Sequence, residues 1–105
     1  LIAIRDTVNS AEVNNNKPLN FTLEQNFPNP FNSTTHIKYT IPISGRVSLK
    51  VYDLLGNEVA TILDRYQETG EYDVIFEPDN LASGIYFYQL KTDNFIDTKK
   101  LILLK

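Results

Sequence analysis

His36 is the only histidine in the chain, and Ser33, Thr34 and Thr35 run directly into it. A hydroxyl nucleophile needs an imidazole base on its own face of the element and a carboxylate that orients the ring. On an extended segment adjacent residues point to opposite faces, and no Asp or Glu lies close to His36 along the chain. Catalysis is therefore not expected there. The turn Glu77-Pro78-Asp79-Asn80 carries oxygens that suit calcium. It lacks the spaced Asp/Asn pattern and the glycine of a dedicated calcium loop, so it reads as a solvated turn. Zero cysteines exclude thiolate metal sites and disulfide frameworks. Asn20-Phe21-Thr22 and Asn32-Ser33-Thr34 match the N-glycosylation pattern, a short motif common by chance and meaningful only in a eukaryotic secretory setting. No metal and no cofactor is expected.

The elements that would position these residues follow from composition and pattern. The chain has 105 residues, 42% of them hydrophobic and 22% charged, which suits one globular core burying roughly 60–70% of the unfolded surface. The net charge of −3 provides no basic stripe to replace counterions, which argues against nucleic acid or anionic lipid as a partner. Apolar runs reach only four residues, far too short for a helix to span a bilayer, so no direct lipid insertion is expected. The opening LIAIRDTVNS lacks the basic start and long apolar core of a signal peptide. The chain contains no methionine, and is read as the tail of a larger protein.

Residues 1–6 (LIAIRD) read as the end of a preceding domain and residues 7–20 as an Asn-rich linker, too polar to offset the entropy of ordering. From Phe21 to Lys105 the apolar period is two. Ile37, Tyr39 and Ile41 alternate with polar residues; Val47, Leu49 and Val51 do the same, and Tyr72, Val74 and Phe76 repeat it. With strands over 21–26, 58–63, 85–91 and 95–104, the count is seven, and no segment offers a helix. Turn residues separate them: Pro42 to Gly45, Asp53 to Asn57, Glu68 to Gly70, Pro78 to Gly84, and Thr92 to Asn94. The pattern predicts an all-β, immunoglobulin-like, seven-stranded antiparallel β-sandwich with Greek-key connections over 21–105. Ile37, Tyr39, Leu49, Val51, Val74 and Phe76 are its expected core. In Leu81-Ala82-Ser83-Gly84-Ile85-Tyr86, Tyr86 suits a tyrosine corner and Gly84 a turn needing special conformation or clearance; the alternative makes Tyr86 a ligand-stacking aromatic. Tyr86 and Phe87 point to opposite faces, which fits core packing on one and a covering partner, or a sugar platform, on the other.

Four landmarks carry a family resemblance. They are Phe27-Pro28-Asn29-Pro30-Phe31-Asn32, then Val51-Tyr52-Asp53-Leu54-Leu55-Gly56 with Glu58-Val59, then Leu81-Ala82-Ser83-Gly84-Ile85-Tyr86-Phe87-Tyr88, and finally Lys99-Lys100-Leu101-Ile102-Leu103-Leu104-Lys105. In this order they resemble the type A C-terminal sorting domain of the type IX (Por) secretion system, found on proteins exported by Bacteroidetes and related bacteria. Ser33 departs from the pattern, since many members carry a further proline there. A more distant likeness, to the module of flagellar hook-capping proteins, bears on fold alone. The resemblance implies a non-catalytic signal that takes a fused upstream cargo from the periplasm through the outer-membrane translocon to the cell surface or medium. It implies a surface sortase as second partner, cutting within the linker around Asn14, Asn15 and Asn16.

Lys99, Lys100, Leu101, Ile102, Leu103, Leu104 and Lys105 are the expected translocon-recognition residues, because a last strand at a sheet edge offers unpaired backbone while its lysines discourage unwanted pairing. Pro28, Asn29, Pro30, Phe31, Asn32, Gly56, Gly84 and Tyr86 are expected to be mainly structural. The blander reading has Leu101 to Leu104 only completing the core. The rival function is an Ig-like spacer or carbohydrate-binding sandwich on a secreted enzyme. With one histidine and no cysteine, the isolated domain is expected to hydrolyse no ester, peptide or glycoside; turnover that His36→Ala abolishes would contradict this.

Overall fold

The computed structural model describes residues 18–105. Residues 1–6, read as the end of a preceding domain, and the asparagines at 14–16 lie outside the described residues. Seven strands follow: β1 (Thr22–Leu23), β2 (Thr35–Ile41), β3 (Gly45–Tyr52), β4 (Glu58–Gln67), β5 (Gly70–Phe76), β6 (Gly84–Lys91) and β7 (Ile96–Leu103). All pairings are antiparallel. They form a three-stranded sheet, β1-β2-β5, and a four-stranded sheet, β4-β3-β6-β7. The expected all-β two-sheet sandwich is therefore present, with β4 beside β3, where constant-type immunoglobulin order would put it beside β5.

Alternation explains the layers. Along β2 every second residue is buried, because side chains of a strand leave to opposite faces and only one face meets the other sheet. Ile37, Tyr39 and Ile41 from the smaller sheet thus share one core with Val47, Leu49, Val51, Tyr88, Leu90, Leu101 and Leu103 from the larger. Tyr39 also donates its hydroxyl to the Gln67 Oε1, which satisfies a buried polar group at the end of β4.

Three expectations change. Val74 is only half-buried, because β5 is an edge strand of the smaller sheet and one flank of its inner face stays uncovered. The opening strand is two residues, not six, since the Asn26 N–H leaves the ladder for the Tyr88 hydroxyl at 2.7 Å. β4 runs on to Gln67, pairing with Gly45 at the far end of β3. Between β3 and β4 the turn at 53–57 is held by Asp53, whose carboxylate accepts N–H bonds from Leu55 and Asn57 at 2.9 Å each. These bonds, that from Asn57 above all, hold its pKa below the usual carboxylate range. Gly56 has φ 88° there, a left-handed conformation that costs a residue with a Cβ.

Neighbours on β7 provide a direct test of this layering. Leu101→Ala removes a fully buried side chain and is expected to cost about 2–5 kcal/mol. Ile102→Ala removes a half-buried, outward one and should cost markedly less in denaturant titration. Equal costs would contradict the assigned faces.

Candidate recognition site on the terminal strand

β7 is an edge strand of the larger sheet, so its outer side would ordinarily present a row of unpaired N–H and C=O groups. The segment Gln25 to Asn32 covers part of that row. Pro28 and Pro30 have no N–H and cannot continue a ladder, so the segment supplies bonds from side chains and from one backbone position. Both X–Pro bonds in it, Phe27–Pro28 and Asn29–Pro30, are cis. The Ile102 N–H donates to Asn29 Oδ1 at 2.9 Å, and the Ile102 carbonyl accepts from the Phe31 N–H at 2.9 Å. The Leu104 N–H donates to the Phe31 carbonyl at 2.9 Å. Its own carbonyl accepts from Asn32 Nδ2 at 3.0 Å. Gln25 Nε2 reaches the Lys100 carbonyl at 2.6 Å. Phe31 anchors the clamp by filling the core against Phe76, ring centroids 6.3 Å apart.

A buried polar cluster fixes the other end of the segment. Asn26, Thr35 and Tyr88 are each almost wholly buried, and each side-chain polar atom of the cluster has a partner, as burial requires. Asn26 Nδ2 donates to Thr35 Oγ1 at 3.0 Å and to the Pro28 carbonyl at 3.1 Å. Its Oδ1 accepts from Gln25 Nε2 at 2.7 Å. Thr35 Oγ1 donates to the Pro28 carbonyl at 2.8 Å. The Tyr88 hydroxyl accepts from the Asn26 N–H and donates to the Glu24 carbonyl, both at 2.7 Å. Burial pushes the Tyr88 phenol up to about 12, against the opposing pull of the Asn26 N–H.

A family model described as the secretion system C-terminal sorting domain matches residues 25–104. The chain belongs to that family. This sorting domain serves type IX secretion, which carries the protein across the outer membrane to the cell surface or medium. No curated protein and no solved structure matches the chain. The matched span begins at Gln25 and ends at Leu104, the first and last residues joined by the clamp.

Within the sorting domain, the seven residues expected to be recognised separate by face. Leu101 and Leu103 are fully buried and out of a partner's reach. Lys100 and Ile102 point outward, exposed and half-buried respectively. Lys99 lies half-buried on the inward register, 4.0 Å from Asp97. Leu104 is exposed, and Lys105 is tethered by its N–H to Ser83 Oγ at 2.8 Å and by Nζ to the Asp79 carbonyl at 3.1 Å. Tyr86 is buried, and its hydroxyl donates to the Ala82 carbonyl at 2.6 Å, the geometry of a tyrosine corner. Clearance does not explain Gly84, because an added Cβ would meet Tyr86 at an ordinary 3.9 Å.

His36 does acquire a carboxylate, contrary to the reading along the chain. Asp73 from β5 lies 3.0 Å from its Nδ1, brought there by the antiparallel pairing of β2 with β5. Thr35 puts its hydroxyl on the opposite face, committed to Pro28, so the pair gains no nucleophile from it. Among the described residues no group of three or more His, Cys, Asp or Glu could hold a metal ion.

Sequence reasoning missed Gln25, Asn26, Thr35 and Tyr88. The three-residue spacing of Asn26, Asn29 and Asn32 was the available signal; Thr35 stood out only beside His36 and Tyr88 only within a landmark segment, and neither context points to a buried polar cluster.

Two phenols in this domain define an alkaline limit. Burial raises both Tyr39 and Tyr88 from 10.0 to about 12, so the folded state holds protons that the unfolded state releases first. Stability is fully present below about pH 10 and is lost as pH rises through the folded values. Phenolate absorbance should show two of the six tyrosines ionising late, together with unfolding; six ordinary titrations before unfolding would refute this.

Proposed function

We propose that the domain acts as a folded, non-catalytic sorting signal. An outer-membrane type IX translocon reads it through the last strand, and a surface sortase then cuts it from an upstream cargo in the Asn-rich segment before Phe21. The observation that carries this reading is the coincidence of the family match with the clamp: residues 25–104 enclose both the segment that closes the edge of β7 and the strand it holds. A spacer needs only a stable sandwich. A signal needs one strand held in a single register with defined side chains facing out, which the clamp supplies through bonds to Lys100, Ile102 and Leu104. The absence of catalysis is supported by the exposed His36–Asp73 pair, whose neighbouring Thr35 hydroxyl is buried on the other face.

The test is a fluorescent reporter carrying a periplasmic signal peptide, fused ahead of residues 7–105 and expressed in a host with the type IX machinery. The fusion should reach the surface or medium, and the same reporter without the domain should remain periplasmic. Equal retention of both would remove the sorting reading in favour of a spacer.

A further inference from the structure

Beyond the strand itself, the outward face of the larger sheet forms one continuous surface. Tyr52, Phe87 and Lys100 are cross-strand partners in one row, and Ile85 with Ile102 form the next. These five residues therefore lie side by side on β3, β6 and β7, all directed away from the core. Ile85 is 39% exposed and Leu54, on the adjoining turn, 64%. A shallow groove of ≈ 440 Å³ runs between Tyr52, Leu54, Phe87, Gln89 and Thr98. The turn that presents Leu54 is held rigid by the Asp53 bonds described above, so this apolar projection is set in place before any partner arrives.

Charge specifies the rest. Arg46 and Lys50 on this face are neutralised by Asp64 and Glu58, at 3.0 Å and 3.4 Å. Lys91 and Lys100 pair with no carboxylate among the described residues. An apolar centre thus has Lys100 unneutralised beside it, while Lys91 shares a groove with Asp93, which likewise forms no ion pair among the described residues. In the groove Asp53 is engaged with its turn and Gln89 Nε2 with Thr98 Oγ1 at 3.1 Å, which leaves the Tyr52 hydroxyl as the one phenol open to a ligand. Asp53 and Gln89 do not reach out as sugar-binding groups must. Two lysines are also few for a lipid surface, where each basic residue adds only about 1 kcal/mol.

We propose that the translocon component which reads this domain docks on this face, and that its own surface is apolar at the centre with a carboxylate opposite Lys100. The proposal rests on the sorting reading and names the chemistry of its partner. The strand's contribution is then Lys100 and Ile102, completed by Tyr52, Leu54, Ile85 and Phe87 from other elements.

The test uses the same reporter fusion, with Phe87→Gln and Lys100→Glu combined. Both side chains point outward, so melting should stay within about 4 °C of the parent. The exported fraction is expected to fall by about tenfold, the effect of losing one strong anchor. A control pair on the opposite sheet, Lys38→Glu with Ile75→Gln, should be exported like the parent. An exported parent whose Phe87/Lys100 variant is exported equally well overturns this proposal alone. A parent that is not exported overturns the sorting reading and this proposal with it. Purified domain is also mixed with phosphatidylglycerol vesicles; no binding is expected, and binding that the Phe87/Lys100 variant loses would assign the face to lipid and overturn the protein partner. Loss of export in the control pair to the same degree would likewise remove the face specificity.

Discussion

The outer edge of β7 is the constraint around which the domain is arranged. A sheet edge is open to pairing with any extended chain, and a sandwich has four of them. Here β1 is two residues long and β4 has two register irregularities against β3, both ordinary ways of blunting an edge. β7 is treated differently. Its outward groups at Ile102 and Leu104 are satisfied by Asn29, Phe31 and Asn32, and one at Lys100 by Gln25. A proline-containing segment can close an edge in this way without becoming a strand that would itself need covering, because Pro28 and Pro30 offer no donors of their own.

That closure has an energetic cost elsewhere. To hold the segment in place the fold buries Asn26, Thr35 and the Tyr88 hydroxyl. A buried polar group left without a partner costs roughly 1–3 kcal/mol, so the cluster is tolerable only when complete. Its two Tyr88 bonds, to Glu24 and Asn26, join residues far apart in the chain. They form only in the native register, which couples the geometry of the clamp to correct assembly of the whole sandwich.

Under the proposed reading of the last strand, this coupling would give the fold a role beyond stability. A signal carried by a short linear stretch would be presented equally by folded and unfolded chains. On β7 the aliphatics divide by face, Leu101 and Leu103 inward and Ile102 outward, so the unfolded strand and the folded one present different surfaces. The folded surface adds side chains from β3 and β6, which no segment of β7 could supply by itself.

The sequence by itself determined the class of fold and most of the core. Period-two alternation is a local property, and Ile37, Tyr39, Leu49, Val51 and Phe76 are buried as it requires. The tyrosine corner was legible for the same reason, since Tyr86 bonds to Ala82 only four residues away. Four landmark segments were enough for the family. What only the tertiary structure decided involves partners distant in the chain: Asp73 beside His36, Tyr88 bonded to Asn26, and Asn29 and Asn32 bonded to the last strand. Alternation says which side chains share a face but not which strands are neighbours, and Val74 shows the consequence, half-buried because β5 lies at an edge. The lysine-flanked terminal stretch read as one unit; strand geometry divided it, because successive side chains of a strand must leave on opposite sides.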